Sequence, residues 1–243
     1  MLAAALWTLA APIHAAHPLI SDDTATQGRG NWQLEANTDH TRTREAGVSV
    51  WEREANLQLT HGVAEALDVM VNLPWLYHSE SDQAVQRGIG DLTLLAKWRF
   101  HDNGRGWTLG LRPELTLASG SVSKGLGNGR ATAALTLLSQ LESGAWTWLA
   151  NAGYTYNDNR AGDRKHLWAA STALLYAVGE QWTLAADIGA SRAADVGVDT
   201  ERYGLLGVIY HLGKDIDLDV GWRRSLGAGP IARTLGAGLT LRW

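Results

Sequence analysis

The stretch Leu92-Thr93-Leu94-Leu95-Ala96-Lys97-Trp98-Arg99-Phe100 places apolar and polar side chains on alternate positions. Side chains of a β-strand point to opposite faces in turn, so this stretch would have one apolar and one polar face. Trp98 and Phe100 stand at one end of the apolar face, with aliphatic residues before them. Aromatic rings confined to strand ends are typical of the girdles that flank the lipid-facing band of a membrane-spanning strand.

The same placement of Trp recurs along the whole chain. Of the twelve Trp residues, all except Trp7 lie on the apolar side of an alternating segment, near one of its ends. Each segment has roughly ten residues, the length that a tilted strand needs to cross the hydrocarbon layer. The segments are 30–40, 50–60, 66–77, 89–100, 107–117, 130–141, 145–157, 167–178, 181–191, 203–212, 215–224 and 233–243. We therefore predict an all-β fold, a transmembrane antiparallel β-barrel of about 12 strands, over residues 29–243.

The connections between these segments alternate in length. Short turns are predicted at 61–65, 101–106, 141–145, 179–180 and 213–214, and longer polar loops at 41–49, 78–88, 118–129, 157–166 and 192–202. Short periplasmic turns and long external loops are the expected asymmetry of a bacterial outer-membrane barrel. The final strand alternates up to Trp243, which resembles the C-terminal signal by which the barrel-assembly machinery recognises such proteins.

Composition limits the other classes of protein. The chain has 243 residues, no Cys and a net charge of −4, and its mean hydropathy is −0.15. These values do not favour a helical membrane protein or a nucleic-acid-binding protein, which would show a basic patch. Residues 1–16 resemble a signal peptide without its basic region, with a short buried helix as the alternative. We predict cleavage after Ala15 or Ala16, an N-terminal periplasmic segment at 17–28, and location in the outer membrane.

Charged residues occupy the opposite parity, which faces the lumen of the predicted barrel. A charge in apolar surroundings is costly unless it is paired or hydrated, so this interior must be wet, ion-paired or both. A basic wall of Lys97, Arg99 and Arg112 is predicted to lie near Glu114 and to face the acidic Glu52 and Glu54. The alternative is a structural charge network that fills a narrow barrel. The predicted pore-lining residues are Glu35, Glu54, Lys97, Arg99, Arg112, Glu114, Asp187 and Arg223.

Two parts of the chain carry a resemblance to a known family. The opening 17–24 with its continuation 27–35, and Arg112-Pro113-Glu114-Leu115 with the Gly-rich 119–120 and 126–129, resemble a family of exported proteins named for the MetA pathway of phenol degradation. Ala25 and Ala118 depart from the family's pattern. The resemblance spans most of 17–243. It implies an outer-membrane barrel that takes up small aromatic or hydrophobic compounds.

The sequence therefore predicts a monomeric outer-membrane channel or transporter for passive uptake of small solutes, in contact with the lipid around it. A structural or adhesive barrel with a plugged lumen is the second hypothesis. A lipid hydrolase is the least favoured of the three hypotheses. Such an enzyme needs a Ser–His pair, and no mature His has a convincing Ser partner on an outer face. No cofactor is predicted, since no cluster has metal-ligand spacing, and His17 is interpreted as a solvated residue. The Gly-rich loop 118–129 is predicted to be external and to fold inward as a constriction.

Overall fold

A computed structural model describes residues 17–45, 48–80, 84–198, 200–227 and 231–243. The described residues form thirteen strands: β1 (Trp32–Glu45), β2 (Val48–Ala64), β3 (Leu67–Glu80), β4 (Gln86–Ile89), β5 (Thr93–Asp102), β6 (Trp107–Thr116), β7 (Thr132–Ser143), β8 (Trp146–Tyr156), β9 (His166–Val178), β10 (Trp182–Arg192), β11 (Thr200–His211), β12 (Ile216–Ser225) and β13 (Ile231–Arg242). One 3-10 turn covers Val122–Lys124. None of these residues belongs to a helix long and apolar enough to cross a membrane.

The strands close into an antiparallel barrel. β1 pairs with both β2 and β13, so the first and last strands complete the ring. At this seam the backbone N–H of Trp32 donates to the carbonyl of Trp243 at 2.8 Å, and that of Trp243 donates back at 3.1 Å. β4 and β5 both pair with β3. They therefore share one position, and the barrel has the twelve strand positions that the sequence predicts.

The predicted strand at 89–100 is broken between β4 and β5. Both carboxylate oxygens of Asp91 accept backbone N–H groups from the loop that follows β6, from Gly120 at 2.7 Å and from Asn128 at 2.8 Å. These bonds draw that loop against the wall between the two halves of the strand. The partners of Asp91 are 29 and 37 residues away in the chain, so local periodicity does not show these bonds.

The outer face has the predicted division of aromatic and aliphatic side chains. Near the periplasmic ends the exposed rings include Trp98, Trp107, Trp146, Trp148, Trp182 and Trp243, and near the other ends Trp51, Trp75, Tyr154, Trp168 and Trp222. The exposed residues between them include Leu57, Leu135, Leu137, Leu184, Val220 and Leu235. The sequence of β11 leaves its facing ambiguous, and we predict Leu206, Val208, Tyr210 and Leu212 as outward. Leu206 and Val208 are exposed, whereas Leu205 and Ile209 are buried. This surface matches a lipid bilayer.

The predicted loop at 41–49 is wrong, because most of it is strand. The β1–β2 pairing continues from Trp32 opposite His61 to Glu45 opposite Val48. Its polar composition suggests a loop, yet Thr41 and Thr43 face the lumen while Arg42 and Arg44 face outward. Beyond the lipid, an outward strand position no longer needs an apolar side chain, so polarity there does not end a strand.

Candidate functional site: the barrel lumen

The segment 17–28 lies inside the barrel, which corrects its predicted periplasmic location. Thr26 at its C-terminal end donates to the carbonyl of Glu65, in the turn between β2 and β3, at 2.8 Å. From there the segment follows the inner wall, and the side chains that bond to it come in turn from most of the strands. These wall residues are Asp68, Gln140, Asn151, Asp187 and Asp219. The segment therefore narrows the lumen from within.

Asp22 joins the segment to the basic wall. One of its oxygens lies 2.8 Å from Nζ of Lys97, and the other lies 2.6 Å from Nη1 of Arg112. Lys97 also reaches Asp23 at 3.0 Å, and Arg112 also reaches Glu114 at 2.8 Å. The predicted partnership of this wall with Glu52 and Glu54 is thus corrected, because the segment supplies the carboxylates at shorter range than an opposing strand could.

The charge states of the segment fit this docking. Burial raises the pKa of Asp22, but the charges of Lys97 and Arg112 outweigh it and hold that pKa below its ordinary value. Burial lowers the pKa of His17, but hydrogen bonds with Asp219 and Asp39 raise it to about 9. Protonated His17 therefore stabilises the docked segment at neutral pH, and this contribution is lost as the pH rises through about 9.

Asp187 is a second anchor of the segment. Its carboxylate accepts the backbone N–H groups of Ile20 at 2.9 Å and Ser21 at 2.8 Å, and the hydroxyl of Ser21 at 3.0 Å. The hydroxyl of Tyr203 donates to it as well, at 3.0 Å. Three of these four donors belong to the segment, so this buried carboxylate anchors the segment to β10.

A row of inward-facing glycines makes room for the start of the segment. Gly207, Gly221 and Gly236 lie directly opposite one another on β11, β12 and β13. A Cβ at Gly207 would lie 2.6 Å from Cγ of Pro18, and one at Gly236 would lie 2.6 Å from Nε2 of His17. Only a wall without side chains at these positions lets the segment lie so close to the backbone.

Two cavities remain beside the segment. A vestibule of about 810 Å³ opens toward the longer loops. A narrower passage of about 170 Å³ lies between the segment and the wall formed by β1, β2, β3, β5 and β6. Ile20 lines both cavities, so its side chain lies at the boundary that they share. The inward-facing residues of the vestibule include Asp39, Glu52, Glu54, Leu76, Leu126, Tyr203 and Arg223.

The predicted pore-lining residues divide between these regions. Glu35, Lys97 and Arg112 line the narrow passage, where Glu35 accepts hydrogen bonds from Gln33 at 2.6 Å and Gln58 at 3.1 Å. Glu114 is joined to the passage through Arg112. Glu54 and Arg223 line the vestibule instead. Arg99 lies at the periplasmic end, 3.5 Å from the carbonyl of Glu65, and Asp187 lies beneath the segment.

The Gly-rich loop folds onto the inner side of the wall. Leu126 is buried and lines the vestibule together with Gly125. A Cβ at Gly88, on β4, would lie 3.0 Å from Cδ1 of Leu126, so the glycine lets the leucine pack closely. The loop thus narrows the vestibule near the broken strand.

Sequence reasoning missed the most important lumen residues, which are Asp22, Asp23, Ser21 and His17 in the segment. Their contacts join positions far apart in the chain, and the segment has no periodicity. One signal could have found them. Twelve residues can span about 40 Å when extended, which is long enough to cross a barrel. Two adjacent carboxylates in such a segment could form ion pairs with the basic residues of the wall.

A Thr–His–Asp chain on the inner wall has the atom order of a hydrolytic triad. Oγ1 of Thr183 lies 3.0 Å from Nε2 of His211, and Nδ1 of His211 lies 2.6 Å from Asp217. Thr183 is only 1% exposed, and Arg242 also binds Asp217, at 2.7 Å. A substrate could not reach this hydroxyl, so the chain acts as a polar link between β10, β11, β12 and β13.

The chain is similar to known outer-membrane proteins. A model of the family described as "Putative MetA-pathway of phenol degradation" matches residues 17–243. The COG4313 outer membrane channel from Pseudomonas putida F1 aligns with a TM-score of 0.77 at 17% identity, over 91% of this chain and 98% of that chain. The NanC porin aligns at 0.59 and 10% identity, over 86% and 98%. The CymD monoaromatic hydrocarbon channel aligns at 0.51 and 11% identity, over 89% of each chain.

A search of curated proteins gave no significant match. At these identities the structural likenesses establish the fold, which is that of a bacterial outer-membrane β-barrel.

Asp22→Asn should release the segment, because it leaves buried Lys97 and half-buried Arg112 without their shared carboxylate. The chain has no Cys, so Ala25→Cys, at a buried position of the segment, provides a single thiol. We expect a soluble maleimide to label this thiol at least about tenfold faster when Asp22→Asn is added. Asp158→Asn is the matched control, since Asp158 pairs with Arg130 and Lys165 on external loops. Equal labelling rates in both double variants would contradict the assignment of Asp22 as the anchor.

Proposed function

The chain belongs to the MetA-pathway of phenol degradation family, and from this premise we propose that its barrel is a monomeric channel for passive uptake of small solutes across the outer membrane. The observation that carries the proposal is the pair of cavities that share Ile20 in their linings, one on the side of the longer loops and one beside the segment. The segment lies against one side of the wall and leaves a passage on the other. A solute would enter the vestibule and pass the segment toward the periplasm.

The size of the passage suits a single small ring. An apolar cavity of roughly 150 Å³ in a protein interior accommodates benzene, and the narrow passage is comparable with it in volume alone. The passage has a volume of about 170 Å³. The vestibule, at about 810 Å³, lies within the range of pockets that bind small molecules. The channel would therefore exclude larger solutes at the segment.

Small aromatic compounds are the solute class that we favour. The vestibule combines charged groups with an apolar surface from Ile20, Leu76, Leu126 and Leu226. Ile20 is 45% exposed although it belongs to a segment enclosed by the barrel. An exposed apolar side chain at the narrowest point lowers the cost of dehydrating an apolar solute there. The similar fold of a monoaromatic hydrocarbon channel supports the same class.

Charged side chains would set the ion preference of this channel. The eight predicted residues keep the role of tuning selectivity, with Lys97, Arg112 and Asp187 acting through the position of the segment. On the inward-facing wall of the vestibule, Asp39, Glu52 and Glu54 outnumber Arg223. A surplus of carboxylates in a narrow polar opening attracts cations.

The proposal also concerns catalysis and the assembly of the barrel. We infer that the barrel does not act as an enzyme, since its Thr–His–Asp chain is sealed from substrate. Trp243 is 61% exposed at the periplasmic end of the seam, where the assembly machinery could bind it.

Ion selectivity tests the charged lining. In a planar bilayer with a salt gradient we expect the channel to prefer cations, and Glu54→Gln to reduce that preference. Glu180→Gln removes the same charge from a periplasmic turn and should leave the reversal potential unchanged. An anion preference, or equal effects of the two variants, would contradict the proposed role of the vestibule.

Benzyl alcohol tests the solute class. We expect it to cause brief interruptions of the single-channel current, because its ring fits the narrow passage, whereas glycerol at the same concentration should not. Ile20→Ala should shorten these interruptions several-fold, since it removes the apolar contact. A steady current that benzyl alcohol does not affect would contradict the proposed solute class but would still agree with channel activity. A folded barrel that carries no current would refute the channel and favour a plugged structural barrel.

A further inference from the structure

The outer face carries a row of arginines beyond the lipid-facing band. Arg224 on β12 lies directly opposite Arg233 on β13, and Arg233 lies directly opposite Arg42 on β1. Residues opposite each other in antiparallel strands point to the same face, and all three side chains are exposed. Arg44 and Arg53, on β1 and β2, extend the row. We call these five residues the arginine row.

The arginine row lacks carboxylate partners. Like charges directly opposite one another destabilise a sheet, so a row of this kind calls for a compensating anion. No carboxylate among the described residues forms an ion pair with any of the five side chains. Basic residues elsewhere at this end differ, because Arg130 and Lys165 share Asp158 at 3.1 Å and 3.2 Å. The described part of the chain therefore supplies no compensating anion for this row.

Aromatic rings hold two of the guanidinium groups in place. Arg42 lies over the ring of Trp51 at 4.9 Å, and Arg53 lies over the ring of Tyr77 at 5.1 Å. Stacking on a ring orients the guanidinium with its N–H groups directed away from the ring, and one of these groups in Arg42, at Nη2, also donates to Oγ of Ser49 at 3.4 Å. The edge of a guanidinium can bind two oxygens of a phosphate at once. The geometry of the row therefore suits a phosphate group.

The depth of the row matches the polar headgroups of a bilayer. β13 places Leu241, Leu239, Ala237 and Leu235 outward between Trp243 and Arg233. Ten residues of a strand tilted by about 40° rise roughly 25 Å, which is the height of the apolar band of such barrels. Arg233 therefore lies where the acyl region ends on the side of the longer loops, which is the outer leaflet.

We propose that the arginine row binds the phosphate groups of an anionic glycolipid in the outer leaflet of the outer membrane. The phosphates would lie across Arg224, Arg233 and Arg42. The acyl chains would pack below them on Trp222 and Leu235, which are 44% and 57% exposed. This site is independent of solute passage through the lumen. It would fix the depth and rotation of the barrel in an asymmetric membrane.

The test uses the purified barrel in detergent with diphosphoryl lipid A as the probe. In Arg42→Gln/Arg233→Gln we expect its apparent Kd to rise by more than about tenfold, since two charge-assisted contacts are lost. The matched control is Arg130→Gln/Lys165→Gln, which removes the same charge from the same end and should change Kd by less than about twofold. Slower gel migration on heating verifies that each variant is folded.

Thermal unfolding gives a second readout, in which the variant and the parent chain should change rank when the glycolipid is added. Without the glycolipid, Arg42→Gln/Arg233→Gln should unfold at a higher temperature than the parent chain, because repulsion is relieved. With diphosphoryl lipid A, the parent chain should gain stability and this variant should not. Equal affinity for dephosphorylated lipid A, or unchanged Kd in the variant, would overturn the proposal. Full competition by inorganic phosphate would also overturn it and indicate a site for free anions.

Discussion

The carboxylate of Asp22, held between Lys97 and Arg112, is the interaction on which the interior of this barrel depends. Two cations on neighbouring strands are costly in a narrow lumen unless anions lie beside them. Glu114 forms an ion pair with Arg112, whereas the carboxylates that pair with Lys97 come from the segment. The segment brings Asp22 and Asp23 to that place. The positive charges of the wall thus hold the segment inside the barrel. The carboxylates of the segment in turn offset the cost of those positive charges in the lumen.

The remaining contacts follow from this one. Once Asp22 is held at β5 and β6, the chain before it has to follow the wall, and Asp187 accepts its backbone N–H groups. The glycines of β11, β12 and β13 let Pro18 and His17 lie against the opposite side. The smaller cavity lies between the segment and β1, β2, β3, β5 and β6. One electrostatic contact thereby places the segment that narrows the lumen.

The sequence predicted the strands and their facing well, because each depends on neighbours two positions away. The Trp residues marked the strand ends, and even the ambiguous β11 was assigned correctly. The segment was placed wrongly because its partners are remote: Asp22 and Asn151 are 129 residues apart. The loop predicted at 41–49 failed for another reason, since outward polarity beyond the lipid looks like a loop. Local patterns therefore determine the wall, and long-range charge pairing determines the lumen.

The most direct test of the central claim is the single-channel conductance of the chain beside that of a variant lacking residues 17–27. Both barrels would be refolded and measured in the same planar bilayer and salt. If the segment sets the constriction, removing it should raise the conductance several-fold, because the lumen would be open at its full width. Equal conductance in two verified barrels would show that the constriction lies elsewhere and would contradict the role of Asp22.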